Sequence, residues 1–205
     1  MKLADQAYWL VQDDWTAELR TSQRAADVIV AAAVLADLVG ARAIAVYAEA
    51  VRVASTLPAL DELGCDVVAQ IVAEPGIRCA EVIDGLAPTI RGRVARRMIR
   101  ACDADARRVG WRRRRWAVAR SRDNSPAWVR ANLVLKLERG LDLSVPERVL
   151  VRLVAHSSMA GNPLSDLPPG RAAAVLSRAR DPELLVYQPL LDAATDAIRL
   201  AAIAR

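Results

Sequence analysis

Phenylalanine is absent from this chain, and tryptophan and tyrosine bring the aromatic share to only 4%. Broad sheets draw on aromatic and β-branched side chains, so a large sheet core is not expected. Histidine occurs once, as His156, which excludes a histidine-rich metal site. The cysteines, Cys65, Cys79 and Cys102, are odd in number and form no CxxC pair. They suggest neither a disulfide framework nor a zinc site, and they fit a reducing compartment. No apolar run reaches the ~20 residues needed to cross a bilayer; the best, Val28 to Val39, is broken by Asp37. The opening residues Met1 to Gln6 lack the apolar centre of a signal peptide. GxGxxG, Walker, GxSxG and HExxH patterns are all missing. The expectation is a cytoplasmic protein that is not an enzyme, with no cofactor and no metal.

What the chain does have is arginine, concentrated. Between Arg91 and Arg122 stand thirteen arginines against two acids, Asp103 and Asp105. That local surplus of eleven positive charges sits in a chain whose formal net charge is only +5, so the remainder is acidic. A concentrated positive field is a surface for something anionic: lipid head groups, nucleic acid or an acidic protein.

Apolar residues make up 54% of the chain, mostly alanine and valine, a composition for closely packed helices. Leu3 to Gln12 has the spacing of a short helix. Asp13 and Asp14 then read as a solvated turn. Ser22 is a candidate N-cap for a long helix to Val39, with Gly40 as its stop; Asp37 on it is expected to face water. Ala43 to Val46 and Val51 to Ala54 are short and β-branched, and predict a small hairpin. Asp61 to Ala73 is helical. Cys79 to Leu86 is expected to form a short helix stopped before Pro88.

The basic helix is expected over Thr89 to Arg107, its apolar stripe formed by Ile90, Val94, Met98, Ala101 and Cys102. Arg93, Arg96, Arg97 and Arg100 fall at i, i+3, i+4 and i+7, with Arg91 just before them. Trp111-Arg112-Arg113-Arg114-Arg115-Trp116 and the following Ala117-Val118 suggest a strand. Its tryptophans either sit at a membrane interface or pack on the core beneath arginine stems. Ala127 to Arg139 is helical. Ser144 and Glu147 form a capping box for a largely apolar helix that carries His156, expected in the core or at its rim. Arg171 to Arg180 is helical, and Asp181-Pro182 opens a final helix to Ile203. No linker or repeat divides the chain. The fold class is mostly α: residues 1–205 as a single compact helical domain with one or two small β-hairpins.

This order of pieces resembles the Golgi phosphoprotein 3 family in its shorter bacterial form. The resemblance is spread over the opening helix with Asp13-Asp14, over Val34-Leu35-Ala36-Asp37-Leu38 followed by Gly40-Ala41-Arg42, and over Asp61-Glu62-Leu63. It continues through Arg91-Gly92-Arg93-Val94-Ala95-Arg96-Arg97-Met98 and Pro146-Glu147-Arg148-Val149-Leu150 to Ser158. It implies a mostly helical peripheral membrane protein. Eukaryotic members bind phosphatidylinositol 4-phosphate and use a hairpin to touch the bilayer or another subunit. Their head-group pocket takes a Trp and an Arg near the start of the long helix and two arginines of the basic helix. Here Ser22 and Ala31 stand at the first two positions, with Trp15 and Arg24 nearby, and Arg91 and Arg93 lie close to the paired arginines.

Residues and resemblance together lead to a membrane-surface module at the inner face of a membrane. Arg91, Arg93, Arg96, Arg97, Arg100, Arg112, Arg113, Arg114 and Arg115 are its candidate anion-binding residues, and Trp111 and Trp116 its membrane contacts. Self-association through the hairpin belongs to this expectation. The alternatives are nucleic-acid binding by the same Arg/Trp surface, the less favoured partner, and a non-catalytic scaffold for an acidic protein.

Overall fold

A computed structural model describes residues 1–13, 16, 18–101, 105–109, 115–119, 125–165, 167–177 and 182–203. Among them are eight α-helices, one 3-10 helix and two antiparallel two-stranded hairpins. The mostly helical fold expected from the composition is the fold observed.

Helix α2 (Gln23–Gly40) is the centre. Fourteen of its eighteen residues are buried, and a helix apolar on every side has to be surrounded. It packs against α1 (Leu3–Val11), α4 (Cys79–Arg100), α6 (Val145–Val154) and α8 (Gln188–Ile203). Ser22 caps it as its position predicts, its Oγ accepting from the Ala25 N–H at 3.2 Å. Asp37 does not face water. Its carboxylate accepts from the Leu3 N–H at 2.9 Å and the Ala4 N–H at 3.0 Å, satisfying two free donors at the start of α1. The cap of one helix is thus supplied by another. Burial raises the Asp37 carboxyl above its ordinary value, and the two amide bonds offset part of that rise.

The first hairpin joins β1 (Ile44–Tyr47) to β2 (Ala50–Val53), with Ile44 opposite Val53 and Tyr47 opposite Ala50. Its two-residue turn is Ala48-Glu49, with φ of +45° and +70°. Neither residue is glycine, so the turn is strained. The Cys79 N–H holds it by donating to the Glu49 carbonyl at 2.7 Å. Helix α3 (Glu62–Ala73) starts on Asp61, whose side chain accepts from the Gly64 N–H at 2.8 Å.

The chain departs from the sequence expectation at Pro88. One helix, α4, runs straight through it from Cys79 to Arg100. Proline removes one backbone bond and costs roughly 3 kcal/mol in a helix interior. The buried stripe continues on both sides of it, through Val82, Ile83, Leu86, Ile90, Val94 and Met98, and packing against α2 offsets that cost. The basic helix also ends at Arg100, not Arg107: Asp105–Val109 is strand β3, paired with β4 (Arg115–Ala119). Arg107 and Arg108 therefore belong to a hairpin.

Helix α5 (Ser125–Arg139) leads into α6, and the two are joined at Glu147. Besides bonding the Ser144 N–H at 2.8 Å in its capping box, Glu147 accepts from Lys136 Nζ at 2.7 and 2.9 Å and from Asn132 Nδ2 at 2.9 Å. Helix α7 (Pro169–Ser177) follows a loop organised by buried Asn162, which donates to the Val154 carbonyl at 2.9 Å and accepts from the Leu164 N–H at 3.0 Å. The last element opens as a 3-10 helix, Pro182–Tyr187, before α8 begins. His156 is exposed just beyond α6, not in the core. Burial and the nearby Arg199 and Arg152 lower its pKa.

Candidate anion-binding surface

The helical period places the arginines of α4 on faces that meet three other elements. Arg91 reaches α2 and pairs with Asp27, which is 6% exposed. Burial pushes the Asp27 carboxyl above its ordinary value, and the hydrogen bond and charge of Arg91 pull it back in part. Arg97 pairs with Asp5 of α1 and lies 3.4 Å from Asp61. Helices α3 and α4 run antiparallel, so their pairs match in reverse order: Arg93 with Asp66 at 2.8 Å, and Arg100 with Glu62. Lys2 joins the same cluster, its Nζ 2.6 Å from Asp61.

Four of the five arginines expected to form an anion-binding row are thus held by carboxylates. Arg96 differs. It is exposed, and its Nε donates to the Gly92 carbonyl one turn back at 3.3 Å. The groove between α3 and α4, about 460 Å3, is lined by Arg93, Arg96, Arg97 and Arg100 and also by Asp61, Glu62 and Asp66. Three acids against four bases make it nearly neutral. An anion there would have to compete with carboxylates already in place, and buried pairs yield least, because breaking one leaves an uncompensated charge.

The hairpin continues the arginine segment. Its register sets Arg107 opposite Ala117, Arg108 opposite Trp116 and Val109 opposite Arg115. Trp111, Arg112, Arg113 and Arg114 join the two strands along the chain and lie outside the described residues. Of the head-group positions implied by the resemblance, Ser22 is occupied as a helix cap, Ala31 is fully buried and Arg24 pairs with Asp84. Trp15 lies outside the described residues.

Sequence reasoning missed the carboxylates. Asp5, Asp27, Asp61, Glu62 and Asp66 are 27 to 92 residues from their partners, a distance no local pattern bridges. The one signal was compositional: a chain with eleven surplus charges in one segment and +5 overall keeps its acids elsewhere.

The fold and this surface define a class: a helical domain around one buried central helix, with an arginine-rich helix feeding an arginine-rich hairpin. The Golgi phosphoprotein 3 (GPP34) family model matches residues 3–201, nearly the whole chain, and the chain belongs to that family. A search of individual curated proteins returned no match.

Proposed function

We propose that this chain is a peripheral membrane-binding module that recognises anionic phospholipid head groups of the phosphatidylinositol 4-phosphate type, and that it is not an enzyme. The observation that carries the reading is the density of arginine in the sequence beyond the four that α4 commits to ion pairs. Four of the thirteen arginines are held by carboxylates. Of the other nine, Arg96 is exposed, and the eight from Arg107 to Arg122 have only Asp103 and Asp105 as acids in their own stretch of sequence. Family membership supports the same reading, as does the planar fork by which arginine binds phosphate. In this reading the working surface is Arg96 with the arginines that follow α4 in the chain, and Trp111 and Trp116 are its apolar anchors.

Each basic residue near an anionic leaflet contributes ~1 kcal/mol, so about six engaged arginines correspond to a dissociation constant of tens of micromolar. No helix among the described residues is long and apolar enough to cross a membrane, so attachment in this reading is from one face, the inner one. Self-association through the hairpin is compatible with it.

Sedimentation with liposomes tests the proposal. Three compositions are compared at low and physiological salt: neutral, anionic without inositide, and containing phosphatidylinositol 4-phosphate at matched charge. Salt-sensitive binding to the anionic vesicles is expected, with preference for the inositide. Absence of binding to all three refutes the reading. Tight binding to single-stranded DNA in its place would favour the nucleic-acid alternative, in which the tryptophans stack on bases.

A further inference from the structure

A second groove, about 640 Å3, lies away from the basic helix, between the end of α5, the loop into α6 and helix α7. Its size is within the range of small-molecule sites, roughly 300–1,000 Å3. Leu137, Leu143 and Val175 form apolar walls, and Leu141 at its edge is half exposed. Three cations, Lys136, Arg148 and Arg171, share the lining with one acid, Asp142.

The cations are not equivalent. Lys136 is held by Glu147 and Arg148 by Glu183. Arg171 has no acid partner among the described residues. Its seat is nevertheless built. Gly140 closes α5 at φ +67°, and a Cβ placed there would come within 2.6 Å of Arg171 Nη2. Glycine takes that backbone without strain and, having no Cβ, leaves room for the guanidinium to lie so close. The exposed Arg171 is thus set against the end of α5, its charge unmatched by an ion pair among the described residues, beside an apolar wall.

We infer that this groove binds an anionic amphiphile, a carboxylate or phosphate monoester head carrying an aliphatic tail. The head pairs with Arg171, whose fork of donors suits either oxyanion, and the positive charges of Lys136 and Arg148 lie in the same lining. The tail covers Leu137, Leu141, Leu143 and Val175. The three cations of the lining disfavour a cationic head in the same place, and Asp142 disfavours a second negative charge on the ligand.

Isothermal titration calorimetry on the full chain tests the inference, using decanoate and decyl phosphate below their micellar concentrations, with decanol and inorganic phosphate as controls. At least one of the two amphiphiles is expected to bind with one-to-one stoichiometry. Decanol is expected at least about tenfold weaker and inorganic phosphate weaker still, which separates a tailed head group from free phosphate. Arg171→Gln removes only an exposed side chain, and its unchanged circular dichroism will show that the fold persists. It should weaken binding by about tenfold or more, the scale of a lost charge-assisted contact. Gly140→Ala should weaken it too, by displacing the guanidinium. Equal binding by wild type and Arg171→Gln, equal binding of decanol, or no binding of either amphiphile overturns the inference. Arg171→Gln is expected to sediment with anionic liposomes as wild type does, so this site and the proposed membrane surface fail or stand separately.

Discussion

Replacing Arg97 with alanine separates structural arginine from surface arginine on one helix. The Arg97 side chain is 16% exposed and that of its partner Asp5 is 8% exposed. Asp5 keeps one other donor, the Lys2 N–H at 3.1 Å. Asp61 loses less, because Lys2 Nζ at 2.6 Å and the Gly64 N–H at 2.8 Å remain. The cost is therefore that of leaving Asp5 buried and unpaired, about 3–5 kcal/mol. With a urea slope of about 2 kcal/mol/M, a loss of about 4 kcal/mol lowers the unfolding midpoint by about 2 M. Arg96, exposed one residue earlier, is the control: Arg96→Ala should stay within about 0.5 kcal/mol of wild type. Far-UV circular dichroism in urea reads both. Adding Asp5→Asn to Arg97→Ala removes the orphaned charge and should recover a large part of the loss. Equal midpoints for the two alanine variants would refute the assignment of Arg97 to the core. Failure of Asp5→Asn to recover stability would show that packing, not charge, was lost.

Two further outcomes follow from the buried carboxylates. Asp37→Ala should lower stability by about 2 kcal/mol or more, because two amides of α1 lose their acceptor, and Asp37→Asn, which keeps one acceptor oxygen, should cost less; thermal unfolding ranks the two, and the reverse order contradicts the cap. The second outcome concerns acid. Burial raises the Glu147 carboxyl, but Lys136 and Ser144 together outweigh it, and the net shift is below the ordinary 4.5. A carboxyl depressed on folding stabilises the fold above its unfolded pKa and loses that contribution as pH falls through the folded value. Glu147→Gln should therefore be less stable than wild type at neutral pH, with the gap closing as pH falls below the ordinary 4.5 and through the lower folded value; a gap independent of pH would rule the charge out.

What could be read from the sequence was local. The cap at Ser22, the capping box of Ser144 and Glu147 and the β1–β2 hairpin each depend on residues a few positions apart, and each appears where the spacing places it. Pro88 was misleading because proline's cost is local and visible, while the packing that offsets it comes from α2. The extent of α4 was overestimated because Ala101 and Cys102 continue an apolar stripe that the strand pairing of Asp105 with Ala119 interrupts. Asp37 looked solvated because its partners, the amides of Leu3 and Ala4, are 34 and 33 residues away. The candidate surface was half legible. The arginine density is a fact of sequence, but which arginines are committed to Asp5, Asp27, Glu62 and Asp66 depends on how α1, α2 and α3 pack around α4.

The clamp on the first residues has a consequence for the order in which the chain is made. Helix α1 is tied down by Asp37 through two amides, by Asp61 through Lys2, and by Arg97 through Asp5. The last of these partners comes 92 residues after Asp5. At ribosomal rates of about 5–20 residues per second, Asp5 waits roughly 5–20 s for its arginine. Nine residues form a helix too short to persist alone in water. Helix α1 is thus made well before the partners that hold it, and until they arrive Tyr8, Trp9 and Leu10 are without their full cover, as clients for whatever protects nascent chains.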